Sequence, residues 1–325
     1  MKKILVIPGD GIGKEVMKVA VDMLSNIISP EVLSFIHDEA GFEYFTVSGS
    51  PVSPTMTENL MRCDGVLFGA SGTPSPPPEG FYSPIVFIRR TIGAMINVRH
   101  CRNIKGDIDF LVLRELSEGL YSAKETKTAE GYDVSFSVTQ SACIHLANFA
   151  VQFARHRKKQ VSVVHKANVM TRSDGFFKKN IVDVLTAQGI TAESVLSDAA
   201  GYHIVTDPGR FDVMVANNHD GDLLSDVAAG VCGGLGLIPS ISLSGSKPLA
   251  EPIHGSAPDI AGKNRADPVA MLLSACLLLD HLGFDYQSQS LRDAIYQHLA
   301  MRTGEQLTTS EITEDITQLL QWQRS

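Results

Sequence analysis

Cysteine is sparse in this chain: five residues, Cys63, Cys101, Cys143, Cys232 and Cys276, lie scattered and are never spaced as C-x-x-C. An odd, dispersed set excludes a disulfide framework and a thiolate zinc site, and a reducing cytosol is the expected compartment. Excess positive charge is lacking as well. At a formal net charge of -8 the chain has no electrostatic footprint for nucleic acid or an anionic membrane, both of which attract cationic surfaces. Long apolar runs are absent. The N-terminal MKKILVIPGD is apolar only from Ile4 to Ile7 before Pro8, too short for a signal segment. The stretch Met271 to Leu279 is bounded by Asp267 and Asp280 and stays below membrane-spanning length. Nor is there an internal repeat, a low-complexity tract or a linker, so a second domain would have to be inserted into the first, not appended to it.

What is present suits a small-metabolite protein. With 325 residues and 44% apolar content the chain can bury a large core and has room for two domains. Ile4 to Ile7 reads as a first strand, followed by a Gly-rich turn and then Val16, Val19, Ala20, Met23, Leu24 and Ile27 at helical spacing. Further strands are expected at Val32 to Ile36, Gly65 to Phe68, Phe110 to Leu113, Tyr132 to Val138, Val161 to Val164 and Val213 to Val215. Helices are expected near Ala142 to Arg155 and Ser173 to Leu185. This alternation is that of a parallel α/β sheet. Gly69 to Gly80 (GASGTPSPPPEG) must be a loop, because its prolines remove backbone donors. Ser122 to Val138 reads as two strand-like runs around Glu130-Gly131, a hairpin that either pairs with a second subunit or stands on the surface of a monomer.

Four groups of residues carry candidate chemistry. Gly9-Asp10-Gly11-Ile12-Gly13 falls short of the G-x-G-x-x-G dinucleotide fingerprint, since its third glycine comes one residue early and the nearest acid after the second strand is Asp38. It reads as a tight structural turn beneath a site. Arg89, Arg99 and Arg114 would clamp a di- or tricarboxylate if brought together, because a guanidinium is a rigid fork of donors matched to carboxylate; singly, each is a solvated surface arginine. Asp222 and Asp226, four apart in GDLLSD, would share a helix face if a helix begins at the glycine, with Asp198 upstream. Hard oxygen ligands suit Mg²⁺ or Mn²⁺; alternatively Asp222 is a helix N-terminal charge. Lys166 after an apolar strand and Tyr121 of EGLY are a base and an acid for proton transfer, or packing residues.

Taken together these segments resemble the isocitrate and isopropylmalate dehydrogenase family, the metal-dependent β-decarboxylating dehydrogenases. The resemblance runs nearly end to end through IPGDGIGKEV, SPIVFIRRTIGAMINVR, LRELSEGLYS, HKANVM with DGFF, FDVMVANNHDGDLLSD, GGLGLIPS and EPIHGSAPDIAGK. It implies an isopropylmalate-dehydrogenase-like α/β fold, not a Rossmann fold. A parallel or mixed sheet domain, roughly residues 1-94 plus 233-325, would bind the cofactor, and an inserted α/β domain, 95-232, would carry the dimer hairpin. It implies NAD held by His254, Gly255, Ser256, Ala257 and Asp259, with Asp267 near the adenine. Asp259 would accept the ribose hydroxyls and repel a 2′-phosphate. It assigns Arg89, Arg99 and Arg114 to the substrate's carboxylates, Tyr121 and Lys166 to proton transfer, and Asp198, Asp222 and Asp226 to Mg²⁺ or Mn²⁺. Lys166 and Asp198 would reach across from the second subunit of a homodimer. The implied reaction is NAD-dependent oxidative decarboxylation of a 3-substituted malate.

Substrate choice turns on the group at C3. Isocitrate enzymes carry a serine and an asparagine ahead of the first arginine; Ser83 matches, but Ile85 replaces the asparagine. YSPIVFIRR and RELSEGLY lean toward homoisocitrate dehydrogenases, whereas isopropylmalate enzymes show a glycine where Glu118 stands. A homoisocitrate- or isocitrate-type acid is therefore the expected substrate. 3-Isopropylmalate, a tartrate- or malate-type acid, or a catalytically silent regulatory subunit are the alternatives. Departures from the family pattern fall at His219-Asp220, Arg265, Asp267, Met95, Ile96 and His100.

Overall fold

Apolar runs flanked by turn residues become strands, and the 3.6-residue periodicities between them become helices, in a computed structural model that describes residues 1–243, 247–302 and 306–322. The result is an α/β fold that divides into two compact units, Met1–Ala94 with Leu235–Ser325, and Met95–Gly234.

The first unit begins with β1 (Lys2–Gly9), α1 (Ile12–Ile27), β2 (Leu33–His37), α2 (Phe42–Ser48), α3 (Met56–Arg62), β3 (Gly65–Ala70) and α4 (Pro84–Ile92). The second unit follows with β4 (Ile96–Arg102), β5 (Asp109–Glu115), β6 (Lys124–Lys127), β7 (Tyr132–Ser135), α5 (Gln140–Arg155), β8 (Gln160–His165), α6 (Ser173–Ala187), β9 (Thr191–Leu196), α7 (Ser197–Thr206), β10 (Val213–Ala216) and α8 (Asn218–Cys232). The chain then returns to the first unit as β11 (Pro239–Leu243), β12 (Leu249–Pro252), α9 (Val269–Leu282), α10 (Asp285–Met301) and α11 (Thr309–Trp322).

In the first unit the strand order is β2-β1-β3-β12-β11, parallel except for the β11–β12 pair. In the second it is β4-β5-β10-β8-β9, parallel except for β4–β5. The run of strands in each unit is thus mixed, and β3 and β10 are buried at every position, as strands covered by helices on both faces must be. Helix α9 is apolar almost all round and buried from Val269 to Cys276, the core of its unit. The hairpin β6–β7 stands apart from the main sheet, exposed at every strand position. Among the described residues no helix is long and apolar enough to cross a membrane.

Asp10 holds the entrance to the glycine-rich loop. Its buried carboxylate accepts the backbone N–H groups of Phe42 at 2.8 Å, Glu43 at 2.8 Å and Gly72 at 2.7 Å. One side chain therefore satisfies donors from α2 and from the segment after β3, where an unpaired N–H would cost about 1–3 kcal/mol.

Candidate active site

Helix α8 is the scaffold of the densest polar cluster. Its N-cap is Asn217, whose side chain accepts from the Asp220 N–H at 2.8 Å. The helix begins at Asn218, three residues before Gly221. Asp222 therefore sits in the second turn, and the helix-terminal charge is Asp220. Asp222 and Asp226 share one face, and both meet Arg99 of β4: Nη2 donates to Asp222 Oδ1 at 2.8 Å and Nη1 to Asp226 Oδ1 at 3.2 Å. The remaining Arg99 donors reach Asn97 Oδ1 at 2.9 Å and Ser225 Oγ at 2.6 Å. Arg114 of β5 joins from the neighbouring strand, donating to Asp222 Oδ1 through Nη1 and to Asn218 Oδ1 through Nε at 3.0 Å and Nη2 at 2.8 Å. Both guanidiniums are buried. A Cβ on Gly221 would lie 2.9 Å from the Arg114 side chain, so only glycine lets α8 approach so closely.

Tyr121, on a short 3₁₀ turn after β5, donates its hydroxyl to Asp222 Oδ2 at 2.6 Å, and the Arg114 guanidinium lies 4.9 Å from its ring centre. Burial pushes the Asp222 carboxyl up, but Arg114 and Arg99 more than undo this, so it stays below the usual carboxylate range. Asp226 goes the other way: burial and the nearby Asp222 charge outweigh Arg99, and its carboxyl is raised. Burial and the Asp222 carboxylate raise the Tyr121 phenol, which keeps it protonated.

Two hard carboxylates one helical turn apart are donors that Mg²⁺ and Mn²⁺ take, and an octahedral cation keeps its other positions for water and substrate oxygens. The donor set of Asp222 and Asp226 fits such an ion. Among the described residues of one chain no group of three or more His, Cys, Asp or Glu side chains could hold a metal. Asp198 therefore does not complete that pair within its own chain. It lies at the start of α7 and accepts from Lys166 Nζ at 2.8 Å; its side chain is 67% exposed. The Lys166 hydrogen bond holds the Asp198 carboxyl down.

In the first unit Arg89, on α4, donates through Nη2 to Glu251 Oε1 of β12 at 2.7 Å, and its Nε is buried without a partner. Ser83 is the residue preceding α4, which starts on Pro84. Residues 254–259 form an irregular loop after β12, with Ala257 at φ 35°, a strained conformation for a residue with a side chain. His254 Nε2 is buried with no hydrogen-bond partner, a polar atom that a bound cofactor can satisfy. Burial lowers the His254 pKa, favouring neutral imidazole. Asp259 is exposed.

The glycine turn before α1 is no phosphate cradle. Gly11 N–H donates to Glu43 Oε1 at 2.7 Å and Ile12 N–H to the Ser256 carbonyl at 2.9 Å, so the helix N-terminus is already occupied. Gly11, at φ 54°, lies so close to Ser256 that a Cβ would come within 2.1 Å of its carbonyl oxygen. Asp38, the acid weighed for a ribose, is buried and accepts from Asn59 Nδ2 at 2.8 Å. A cavity of about 750 Å³ is lined by Lys14, Glu39, Glu43 and Tyr44 and, of the groups singled out from the sequence, meets Gly9 of the glycine turn but none of the candidate arginines, aspartates, Lys166 or Tyr121.

The departures from the family pattern have local partners. Asp220 accepts from Ser197 Oγ at 2.6 Å, His100 pairs with Asp109 at 3.0 Å, Asp267 pairs with Arg302 at 2.7 Å, and Arg265 reaches Gln306 at 3.4 Å. His219 is exposed, its ring centre 6.3 Å from that of Tyr121. The residues missed from the sequence are Asn97, Asn218, Ser225 and Glu251, which orient the three arginines.

Comparison with known proteins gives one answer. A family model described as isocitrate/isopropylmalate dehydrogenase matches residues 3–320. The 3-isopropylmalate/3-methylmalate dehydrogenase of Methanocaldococcus jannaschii is 40% identical, covering 97% of this chain and 98% of the relative. The isocitrate/homoisocitrate dehydrogenase of Thermus thermophilus is 34% identical, covering 98% of each. Among solved structures, a beta-decarboxylating dehydrogenase from Thermococcus kodakarensis superposes with a TM-score of 0.88 at 33% identity, covering 99% of this chain and 96% of the other.

Proposed function

Because the chain belongs to the isocitrate/isopropylmalate dehydrogenase family, a family of metal-dependent, NAD-using decarboxylating dehydrogenases of 3-carboxy-2-hydroxy acids, we propose that its substrate is a malate with a small apolar group at C3. The observation that carries this is the face of α4. Ile85 and Val86 precede Arg89 by four and three positions, share its helix face and are half-buried, so the arginine we assign to a substrate carboxylate is flanked by apolar side chains. The relative named for 3-isopropylmalate and 3-methylmalate is in keeping with that choice. A second reading, a homoisocitrate- or isocitrate-type acid, rests on Ser83 and on the relative named for isocitrate and homoisocitrate.

We assign Arg89, Arg99 and Arg114 to the substrate's carboxylates, since each offers a charged fork that carboxylates accept in pairs of hydrogen bonds. Asp222 and Asp226 would hold the metal ion, with Asp198 supplied by the partner subunit; once bound, the ion would supply Lewis acidity to the substrate. His254, Gly255, Ser256, Ala257 and Asp259, with Asp267 beside them, would hold NAD, which would supply the hydride acceptor. Lys166 of the partner subunit takes the proton of the 2-hydroxyl at Nζ. Tyr121, kept protonated beside Asp222, returns a proton at C3 from Oη after carbon dioxide leaves. The hairpin, exposed at every strand position, is the segment we assign to the homodimer contact.

NADH formation with Mn²⁺ or Mg²⁺ against 3-isopropylmalate, 3-methylmalate, homoisocitrate, isocitrate, tartrate and malate tests both readings. Highest kcat/KM on an alkylmalate is the expected result. A preference for homoisocitrate or isocitrate replaces the first reading with the second. No turnover on any acid by a folded dimer points to a silent regulatory subunit.

A further inference from the structure

Two nested carboxylates build the turn that carries Tyr121. Glu115, buried at the end of β5, accepts from the Ser117 N–H at 2.7 Å, from the Ser117 hydroxyl and from the Glu118 N–H at 2.9 Å. Glu118 then reaches across the base of the hairpin. Its Oε2 accepts the Thr139 N–H at 2.7 Å and its Oε1 the Thr139 hydroxyl at 2.6 Å, a two-point grip on one residue. Thr139 is the N-cap of α5, its Oγ1 accepting from the Ala142 N–H at 3.3 Å. Beside this grip the Gly119 N–H donates to the Ser137 carbonyl at 3.4 Å, and the Glu118 carbonyl accepts Asn218 Nδ2 at 3.3 Å. The same Asn218 holds Arg114. Residues 119–138 are therefore a loop closed at its neck by Glu118 and Thr139, and Tyr121 lies just inside the neck.

Charge-assisted bonds to a backbone N–H and a hydroxyl are stronger than neutral ones, and here they restrain a segment whose hairpin strands are exposed at every position. Without the grip, the main chain around the 3₁₀ turn at Leu120–Ser122 is left to the weaker contacts of Gly119 and the Glu118 carbonyl, and the Tyr121 side chain to its own contacts with Asp222 and Arg114. We propose that Glu118 is a positioning residue: by closing the hairpin's neck on Thr139 it sets the Tyr121 hydroxyl against Asp222 and couples the placement of the hairpin to that of the proton donor. The inference rests on the assignment of Tyr121 to proton transfer. It also accounts for Glu118 without any contact to substrate, so this residue does not argue for a homoisocitrate-type acid.

The test uses the full-length homodimer with Mn²⁺, NAD and the best acid of the panel. Glu118→Ala lowers kcat about 10- to 100-fold, the cost of a displaced catalytic group, with KM changed by less than about threefold. Thr139→Val gives a similar loss, the double variant is no worse than either single one, and Glu118→Gln recovers part of the loss through its remaining carbonyl oxygen. The ranking of the acids does not change. Losses that multiply in the double variant, a KM effect larger than the kcat effect, or an altered ranking overturns the proposal. Should the wild-type chain turn over none of the acids, the functional reading has failed separately. The neck is then judged by hydrogen exchange of residues 119–123: faster exchange in Glu118→Ala supports it and unchanged exchange overturns it.

Discussion

Asp222 and Asp198 are both aspartates paired with cations in the second unit, yet their surroundings are opposites. Asp222 is gripped by two buried arginines and a tyrosine, and Asn218, Asn97 and Ser225 accept from other donors of Arg99 and Arg114. The cation that meets Asp198 is Lys166, and the Asp198 side chain is two-thirds exposed. Buried charge must be organised by its own chain, because an unpaired guanidinium in the interior is costly. An exposed ion pair contributes little to folding, so a functional role has to come from whatever meets it there. The contrast separates a part of the site that one chain completes from a part that we assign to a neighbouring subunit.

The sharpest way to break this contrast is Asp222→Ala. It leaves Arg99 and Arg114 buried without their shared carboxylate and is expected to cost about 3–5 kcal/mol in urea unfolding. Turnover is expected to drop by about 10³-fold. A stability loss below about 1 kcal/mol would make the two aspartates equivalent. Lys166→Ala is next: kcat falls about 10²- to 10⁴-fold, as for loss of a general base, while unfolding shifts by less than about 1 kcal/mol. Subunit mixing follows. Inactive Lys166→Ala and inactive Tyr121→Phe chains, unfolded and refolded together in equal amounts, are expected to regain about a quarter of wild-type activity, because half the dimers carry one intact shared site. No recovery would mean that each chain uses its own lysine.

The smallest effect is a control elsewhere in the same unit. Arg157 donates to Asp109 at 2.8 Å and to the buried Asp212 at 2.7 Å, an arginine–carboxylate cluster with no assigned role. Burial pushes the Asp109 carboxyl up, but His100 and Arg157 hold it well below its ordinary value of 3.8. A carboxyl depressed in the folded state adds stability that is complete above that ordinary value and is lost as pH falls toward the native one. Asp109→Asn should therefore flatten the acid limb of the stability curve while leaving kcat at neutral pH unchanged. A changed kcat would tie this cluster to the active site.

Much of the fold was legible because β1, β3, β8 and β10 are apolar runs bounded by turn residues, and α1, α5 and α6 keep helical periodicity. Strand β4 was not. In INVRHCR the charged Arg99 breaks the apolar alternation, yet it is buried because α8 brings Asp222 and Ser225 to meet it. Strands β11 and β12 are short and begin or end on proline, which blurs their signal. For the site, the charged residues announced themselves and the resemblance assigned their roles. The neutral partners did not: Asn218 and Ser225 have no sequence signature, since an amide or hydroxyl matters only through what folding places beside it.

The three amide bonds accepted by Asp10 bear on how such a protein diversifies. They fix the main chain at Gly72, before the run of prolines starts, and they act on backbone N–H groups, which every residue type but proline possesses. Beyond that anchor the segment next packs back through Phe81, whose ring centre lies 5.6 Å from that of Phe42 and 5.3 Å from that of Phe45, so changes of length or composition between Gly72 and Phe81 are expected to leave the strand that launches the segment in place.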